Sequence, residues 1–169
     1  NHCAMCGINS RTTISMPPMP ESCASCTKPR SLRLSTWART WRAGDRVTLE
    51  LDMPVERMYA HPDVHQDAGQ VALQRGPIVY CFEEVDQAAQ LPRLFLPAAA
   101  ALTPTFQPDL LDGVVTLSGQ GLAASADGWQ DVLYRTQEPQ LQPITVTAIP
   151  YYAWDNRAPG AMRVWLPQK

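Results

Sequence analysis

The chain has 169 residues, of which 45% are hydrophobic and 18% charged, and its formal net charge is -2. This composition can fill a core, which excludes wholesale disorder, and a near-neutral charge without a basic stripe excludes nucleic acid as the main partner. No apolar run reaches the roughly 20 residues that span a bilayer, so no membrane partner is expected. No secretory signal is visible, which leaves the cytoplasm as the default compartment.

Residues 1–39 predict an irregular N-terminal segment that holds four of the five cysteines. The pairs Cys3-x-x-Cys6 and Cys23-x-x-Cys26 are separated by sixteen residues, a spacing typical of a four-cysteine zinc site. The proline-rich run 16–20 between them cannot form the hairpin that a zinc ribbon needs. A tail with reactive thiols or a translation artefact is therefore the preferred interpretation, and zinc binding is the alternative.

From residue 40 onward the chain reads as short strands. In Arg46–Met53 apolar residues occupy every second position, as a strand buried on one face requires. The further predicted strands are Gln70–Gln74, Ile78–Glu83, Arg93–Leu96, Val114–Leu117, Val132–Arg135, Ile144–Ile149 and Arg163–Leu166. Only 98–102 and 120–126 lean towards helix. About eight short strands between turn residues predict an all-β fold, an antiparallel β-sandwich or jelly roll.

Several polar residues are candidates for functional groups. His61 and His65 stand four apart, which shares a face only on a helix, so surface histidines in a loop are expected. Cys81 lies in an apolar strand and is expected to be a small buried hydrophobe. The carboxylates of 83–86 resemble a pair for glycoside hydrolysis, but adjacent acids at a strand end are usually a solvated turn. We therefore predict no catalytic residue and no metal ligand among them.

The segment after strand 144–149 carries an aromatic cluster beside polar residues. Aromatic faces bind the apolar side of sugar rings, and amide or guanidinium groups fix hydroxyls. The candidate carbohydrate-binding residues are Tyr152, Trp154, Asn156 and Arg157. Strand-like alternation would bury Tyr151 and Ala153 and turn Tyr152 and Trp154 to the other face. The alternative is docking against a neighbouring domain, which we favour because aromatic clusters are common at such contacts.

These motifs also carry a resemblance to a known family. The segment 144–160, the run Val71–Cys81 and the pattern Trp41-x-x-Gly44-Asp45 resemble the C-terminal end of glycoside hydrolase family 127, the β-L-arabinofuranosidases. The resemblance covers about residues 40–169. It implies a three-part protein with a catalytic (α/α)6 barrel and two β-sandwiches. Residues 40–56 would then be the last strand of the middle sandwich, and residues 57–169 the C-terminal sandwich.

The resemblance also implies what this chain does. In the family a zinc-bound cysteine is the nucleophile and a glutamate the acid/base, both on the barrel, and no position here matches them. The chain is therefore expected to be inert alone, to support the barrel and to contribute to a homodimer. Residues 33–36 can be encoded so that a one-base shift reads Gly-Tyr-Leu-Arg, which suits the family and suggests a frame-shifted start. A free carbohydrate-binding module and a zinc-ribbon interaction protein remain the alternatives.

Overall fold

A computed structural model of the chain describes residues 11–15 and 46–169. The two cysteine pairs, with Cys3, Cys6, Cys23 and Cys26, lie outside the described residues, and so does the Gly44-Asp45 turn. The zinc-ribbon alternative and the frame-shift interpretation therefore stay predictions.

The described residues form short strands and one-turn 3₁₀ helices. The strands are β1 Arg11–Ser15, β2 Arg46–Glu50, β3 Val55–Met58, β4 Gln70–Arg75, β5 Ile78–Glu83, β6 Leu94–Phe95, β7 Leu102–Gln107, β8 Val114–Ala124, β9 Leu141–Pro150, β10 Met162–Arg163 and β11 Leu166–Pro167. The 3₁₀ helices are His65–Asp67, Glu84–Asp86, Leu91–Arg93 and Tyr151–Ala153. Within this described part, no helix is long or apolar enough to cross a membrane.

Strands β3 to β11 form one nine-stranded sheet with the order β11-β4-β5-β9-β8-β6. In addition, β3 pairs with β4, β10 with β5, and β7 with β8, and all these pairs are antiparallel. The two ends of the sheet meet, because Leu96 forms a parallel bridge with Gln168 and its amide donates to the carbonyl oxygen of Pro167 at 2.9 Å. The sheet is thus curled upon itself, which confirms the all-β prediction.

Strands β1 and β2 form a separate two-stranded antiparallel sheet, in which Arg11 pairs with Glu50 and Ser15 with Arg46. They belong to a compact unit, Ser10–Leu51, distinct from the unit that begins at Asp52. Strand β1 was missed in the segment predicted to be irregular, because its five residues show no clear apolar alternation. The assignment of residues 40–56 to a preceding sandwich stays a prediction.

Most predicted strands are confirmed, and three predictions are wrong. Residues 132–135 form no strand, and 120–124, expected to lean towards helix, belong to the long strand β8. Residues 98–102 were also expected to lean towards helix, but they form a turn that leads into β7. Strands β3 and β7 were missed, since Pro104 in β7 and the proline before β3 are unfavourable to strands. Pairing of β8 with β7 and β9 overrides the local preferences of residues 102–107 and 120–124, and pairing with β4 overrides that of β3.

The sheet is buried on both faces where β5 and β9 run side by side. One face packs the main core, with Tyr80, Phe82, Val146 and Ala148, all at 0% exposure. Cys81 and Ile149 point to the opposite face, where the segments 110–111, 153 and 162–164 cover them. Two-sided burial explains the continuous apolar runs of these strands. It also means that the segment after β9 is part of the cover.

Close packing of β8 against its neighbours requires small residues. A Cβ at Gly119 would lie 2.5 Å from the carbonyl oxygen of Ala101, and one at Gly121 would lie 2.4 Å from Cγ1 of the fully buried Val146. A stiff β-branched side chain cannot give way cheaply. The two glycines therefore let β7 and β9 approach β8 closely enough to form regular ladders.

We expect the Cys81 thiol to be unreactive in the folded protein. The residue is fully buried, as its apolar surroundings in the sequence predicted, and burial raises the pKa of Cys81 from 9.0 to about 12. The thiolate is the reactive form. Iodoacetamide at pH 8, with peptide mass spectrometry, should leave Cys81 unlabelled in buffer and label it fully in urea.

The raised pKa of Cys81 also determines how this thiol changes the stability of the fold with pH. Above the unfolded pKa of 9.0 the unfolded thiol ionises while the folded one stays protonated, so this group lowers stability as the pH rises from about 9 to about 12. Labelling of Cys81 in the native protein at pH 8, at the rate seen in urea, would contradict the buried placement.

Candidate functional site

The aromatic segment begins where β9 ends. Pro150 is the last strand residue and pairs with Tyr80, after which Tyr151–Ala153 form a 3₁₀ helix. Because strand geometry stops there, the predicted alternation is wrong for Tyr151, which is 45% exposed, whereas Ala153 is buried as expected. The helical turn brings the following residues back over the end of β5.

Arg157 anchors the returning chain through two carboxylates. Its Nη1 donates to Oδ1 of Asp86 at 2.7 Å and its Nη2 to Oδ2 at 2.5 Å, which is a bidentate pair. Its Nη2 also donates to Oε2 of Glu83 at the end of β5. The side chains are mostly buried, with 18% exposure for Arg157, 7% for Glu83 and 16% for Asp86. We call these three residues the arginine clamp.

The arginine clamp changes the interpretation of both the acids and the arginine. Hydrogen bonds that Arg157 donates to Asp86 raise the pKa of Arg157 above its ordinary value, burial opposes this, and the hydrogen bond to Glu83 adds to it. The solvated turn expected at 83–86 is wrong for Glu83, which is 6% exposed and paired. Glu83 and Asp86 do not have the arrangement of a catalytic pair of acids, since each already accepts hydrogen bonds from the guanidinium of Arg157.

Further hydrogen bonds fix the backbone between the clamp residues. The Asp155 amide, at a φ of 62°, donates to Oε1 of Glu83 at 3.0 Å. The Asn156 amide group donates to the carbonyl oxygens of Ala153 and Trp154, at 3.1 and 3.0 Å. The polar side chains of this segment thus hold their own loop in place.

The aromatic rings remain on the outside of this loop. Tyr152 is 58% exposed and Trp154 37%, and the rings of Tyr151 and Trp154 lie 6.0 Å apart between centroids with a tilt of 32°. We call these three residues the aromatic face. The structure therefore separates the four predicted sugar-binding residues into two exposed rings, a mostly buried Arg157, and an exposed Asn156 whose amide group donates to its own loop. An apolar surface of this kind can stack on a sugar or pack against protein.

A groove lies beside His61, one of the two histidines that were expected to be exposed. An open groove of about 560 Å³ is lined by Tyr59, His61, Val64, Asp67, Gln70 and Lys169, among others. His61 and His65 are exposed, as predicted, although His65 begins the 3₁₀ helix His65–Asp67. His61 Nδ1 accepts from the Asp63 amide at 3.2 Å. In the described part of the chain, no group of three or more His, Cys, Asp or Glu could hold a metal ion. The zinc chemistry implied by the resemblance does not fit these residues.

One buried polar pair was not found by sequence reasoning. Arg75 is 6% exposed and Tyr80 fully buried, and burial raises the pKa of Tyr80 while Arg75 acts in the opposite direction. Within the described structure, Nε and Nη1 of Arg75 have no hydrogen-bond partner. An arginine on the inward face of a strand that also carries Val71 and Leu73 is a signal that the sequence offers for this pair.

Comparison with known proteins identifies relatives of this chain. A family model described as the glycoside hydrolase family 127 C-terminal domain matches residues 55–167. The non-reducing end β-L-arabinofuranosidase of Bifidobacterium longum subsp. longum is 42% identical over 130 residues, which are 73% of this chain and 20% of that enzyme.

Solved structures agree with this match. A GH127 β-L-arabinofuranosidase from Geobacillus stearothermophilus T6 is 53% identical with a TM-score of 0.69, covering 78% of this chain and 21% of that one. A further GH127 β-arabinofuranosidase is 34% identical with a TM-score of 0.64, covering 78% and 20%. The chain therefore spans about a fifth of the length of these relatives.

We expect Arg157→Ala to destabilise the protein strongly. The change leaves Glu83 and Asp86 partly buried without their counter-charge, which costs about 3 kcal/mol of unfolding free energy. Urea unfolding measures the loss. The exposed Arg93 provides a matched control, and Arg93→Ala should cost less than about 0.5 kcal/mol. Equal midpoints for the two variants would show that the arginine clamp holds nothing.

Proposed function

Since the chain belongs to glycoside hydrolase family 127, we propose that it is the C-terminal β-domain of a β-L-arabinofuranosidase and supports the catalytic domain of that enzyme. The observation that carries the proposal is the match of residues 55–167 to the C-terminal domain of the family. The matched part of this chain is about a fifth of each relative, which leaves room for the catalytic part. The domain acts by binding and positioning, and no chemical step is assigned to its residues.

The aromatic face is the surface that meets the rest of the enzyme. Its rings are exposed, while the groups that would recognise hydroxyls already have partners: Arg157 in the arginine clamp, and the Asn156 amide group in the carbonyl oxygens of its own loop. An exposed cluster of rings on a rigid loop favours burial against protein, since aromatic residues are enriched at protein contacts. The arginine clamp fixes the loop in advance, so docking does not have to order it.

The rest of the proposed enzyme follows from the family. Its catalytic part is an (α/α)6 barrel, which supplies the zinc, the nucleophilic cysteine and the acid/base glutamate, and the assembled enzyme is a homodimer. The described residues support this division of labour, because their paired acids Glu83 and Asp86 are neutralised by Arg157. The chain contributes fold and surface, and the barrel contributes the reaction.

Carbohydrate binding by the aromatic face is the second candidate. It is favoured by one observation, the tilted pair of Tyr151 and Trp154 beside the exposed Tyr152. A sugar ring could stack on Trp154, with the Tyr152 hydroxyl at its edge. The two candidates differ in what they require, because a sugar site works in the chain alone and a docking site needs its partner.

The supporting role can be tested in a chimaera. Residues 55–167 replace the matching domain of the Geobacillus enzyme, which shares 53% identity. We expect the chimaera to hydrolyse a β-L-arabinofuranoside at a rate within about tenfold of the parent, whereas the parent truncated before this domain loses at least that much. Light scattering of the chimaera measures the homodimer. A truncated parent as active and as stable as the full enzyme would contradict the proposal.

The carbohydrate alternative is tested with the chain itself. We expect no retardation of the chain in affinity electrophoresis through arabinan, and no difference between the chain and Trp154→Ala, because Arg157 is held by carboxylates and the Asn156 amide group by the loop backbone. Phe106→Ala, at another exposed aromatic position, is the control. Retardation that disappears only in Trp154→Ala would replace docking by sugar binding.

A further inference from the structure

The loop of residues 126–137, here called the docking loop, exposes the most accessible large apolar side chains of the described structure. It connects β8 to β9, and the bond from the Ser125 amide to the Gln140 carbonyl oxygen, at 2.8 Å, closes its base. Leu133 is 84% exposed and Tyr134 90%. These two side chains form the tip of the loop.

Hydrogen bonds within the docking loop hold it in shape. The Trp129 amide donates to the Ala126 carbonyl oxygen and the Val132 amide to the Trp129 carbonyl oxygen, each at 3.1 Å. The Arg135 guanidinium lies 5.2 Å from the centre of the Trp129 ring and also donates to the Gly128 carbonyl oxygen. A cation over an aromatic face is attractive, so the contact between Arg135 and Trp129 helps to hold the loop in shape.

The backbone of the docking loop adopts an uncommon conformation just before this tip. Asp131 has a φ of 61°, and the left-handed region is uncommon for residues other than glycine. Such residues persist where the surrounding contacts determine them and are frequent at binding sites. Asp131 lies directly before Val132, so this conformation helps to turn the apolar side chains outward.

We propose that the tip of the docking loop inserts into an apolar pocket on the catalytic part of the same polypeptide. This inference rests on the proposed function. The chain spans only 20–22% of its relatives, so most of the enzyme surface that could cover the tip lies outside it. A pocket on the same polypeptide meets the tip at high effective concentration. A flexible loop would lose conformational entropy on binding, whereas this one is already ordered and avoids that cost.

The chemistry of the pocket follows from the tip. Leu133 and Tyr134 require an apolar lining with a polar group at the Tyr134 hydroxyl, and the adjacent Asp131 favours a lysine or arginine at the rim. A second copy fits less well, since a symmetric dimer needs a self-complementary patch and a projecting tip needs a cavity.

Photo-cross-linking in the chimaera tests the proposal. Tyr134 is replaced by p-benzoylphenylalanine, which the 90% exposed position accommodates, and cross-linked peptides are read by mass spectrometry. We expect the docking loop joined to a segment of the catalytic part within one chain. The same probe at Phe106, an exposed position in β7 outside both the docking loop and the aromatic face, should give a much lower yield.

Each other result overturns the inference. Two chains carrying different mass tags distinguish the sources, and a cross-link between the two tags would assign the tip to a second copy. No cross-link above the Phe106 level would leave the tip without a partner. The double change Leu133→Ser with Tyr134→Ser should lower the thermal midpoint of the chimaera more than Phe106→Ser does, and equal midpoints would also overturn it.

The outcome is separable from that of the proposed function. An active, stable chimaera that lacks the cross-link rejects the docking loop and keeps the supporting role of the domain. A truncated Geobacillus parent that remains fully active and stable without its C-terminal domain rejects the supporting role, whatever the probe at position 134 reports.

Discussion

Burial of β5 and β9 on both faces is the constraint on which the rest of this domain depends. The central pair of strands carries apolar side chains in both directions, so the curled sheet cannot cover it alone, and loops must pack on its outer side. The segment after β9 is one of these covers. Its cost is an ion pair brought out of water, which is tolerable because Arg157 satisfies two carboxylates at once. The aromatic face is thus a by-product of a packing requirement and a surface available for recognition.

The aromatic face and the docking loop are both held in fixed positions, but by different interactions. The aromatic face is held by charges that reach back to β5, whereas the docking loop is held by its own hydrogen bonds and by Arg135 over Trp129. Both are ordered before any partner arrives. A domain that works by positioning another needs such rigid contacts, since flexible ones would pass on little of its stability.

The sequence predicts the strands better than it predicts the surfaces. Apolar runs bounded by turn residues locate β4 and β5 closely and most of β9, because burial in the core requires apolar side chains there. Val132–Arg135 has the composition of a strand and still forms a loop, since its apolar residues serve a surface and local preference cannot show this. Arg157 likewise has the identity of a sugar ligand. Its engagement by Glu83 depends on a separation of 74 residues, which no local pattern reveals.

Closure of the sheet also shapes how the domain is made. Strand β4 pairs early with β3 and β5, but its first two residues pair with β11, as Val71 does with Leu166, so this end stays open until nearly the whole domain has left the ribosome. Contacts between such distant residues are slow to form, and an unpaired strand edge invites association with other chains in the meantime. Biogenesis, more than thermodynamics, is therefore where this fold is vulnerable. A chaperone that shields the open edge of β4 during translation would address that interval.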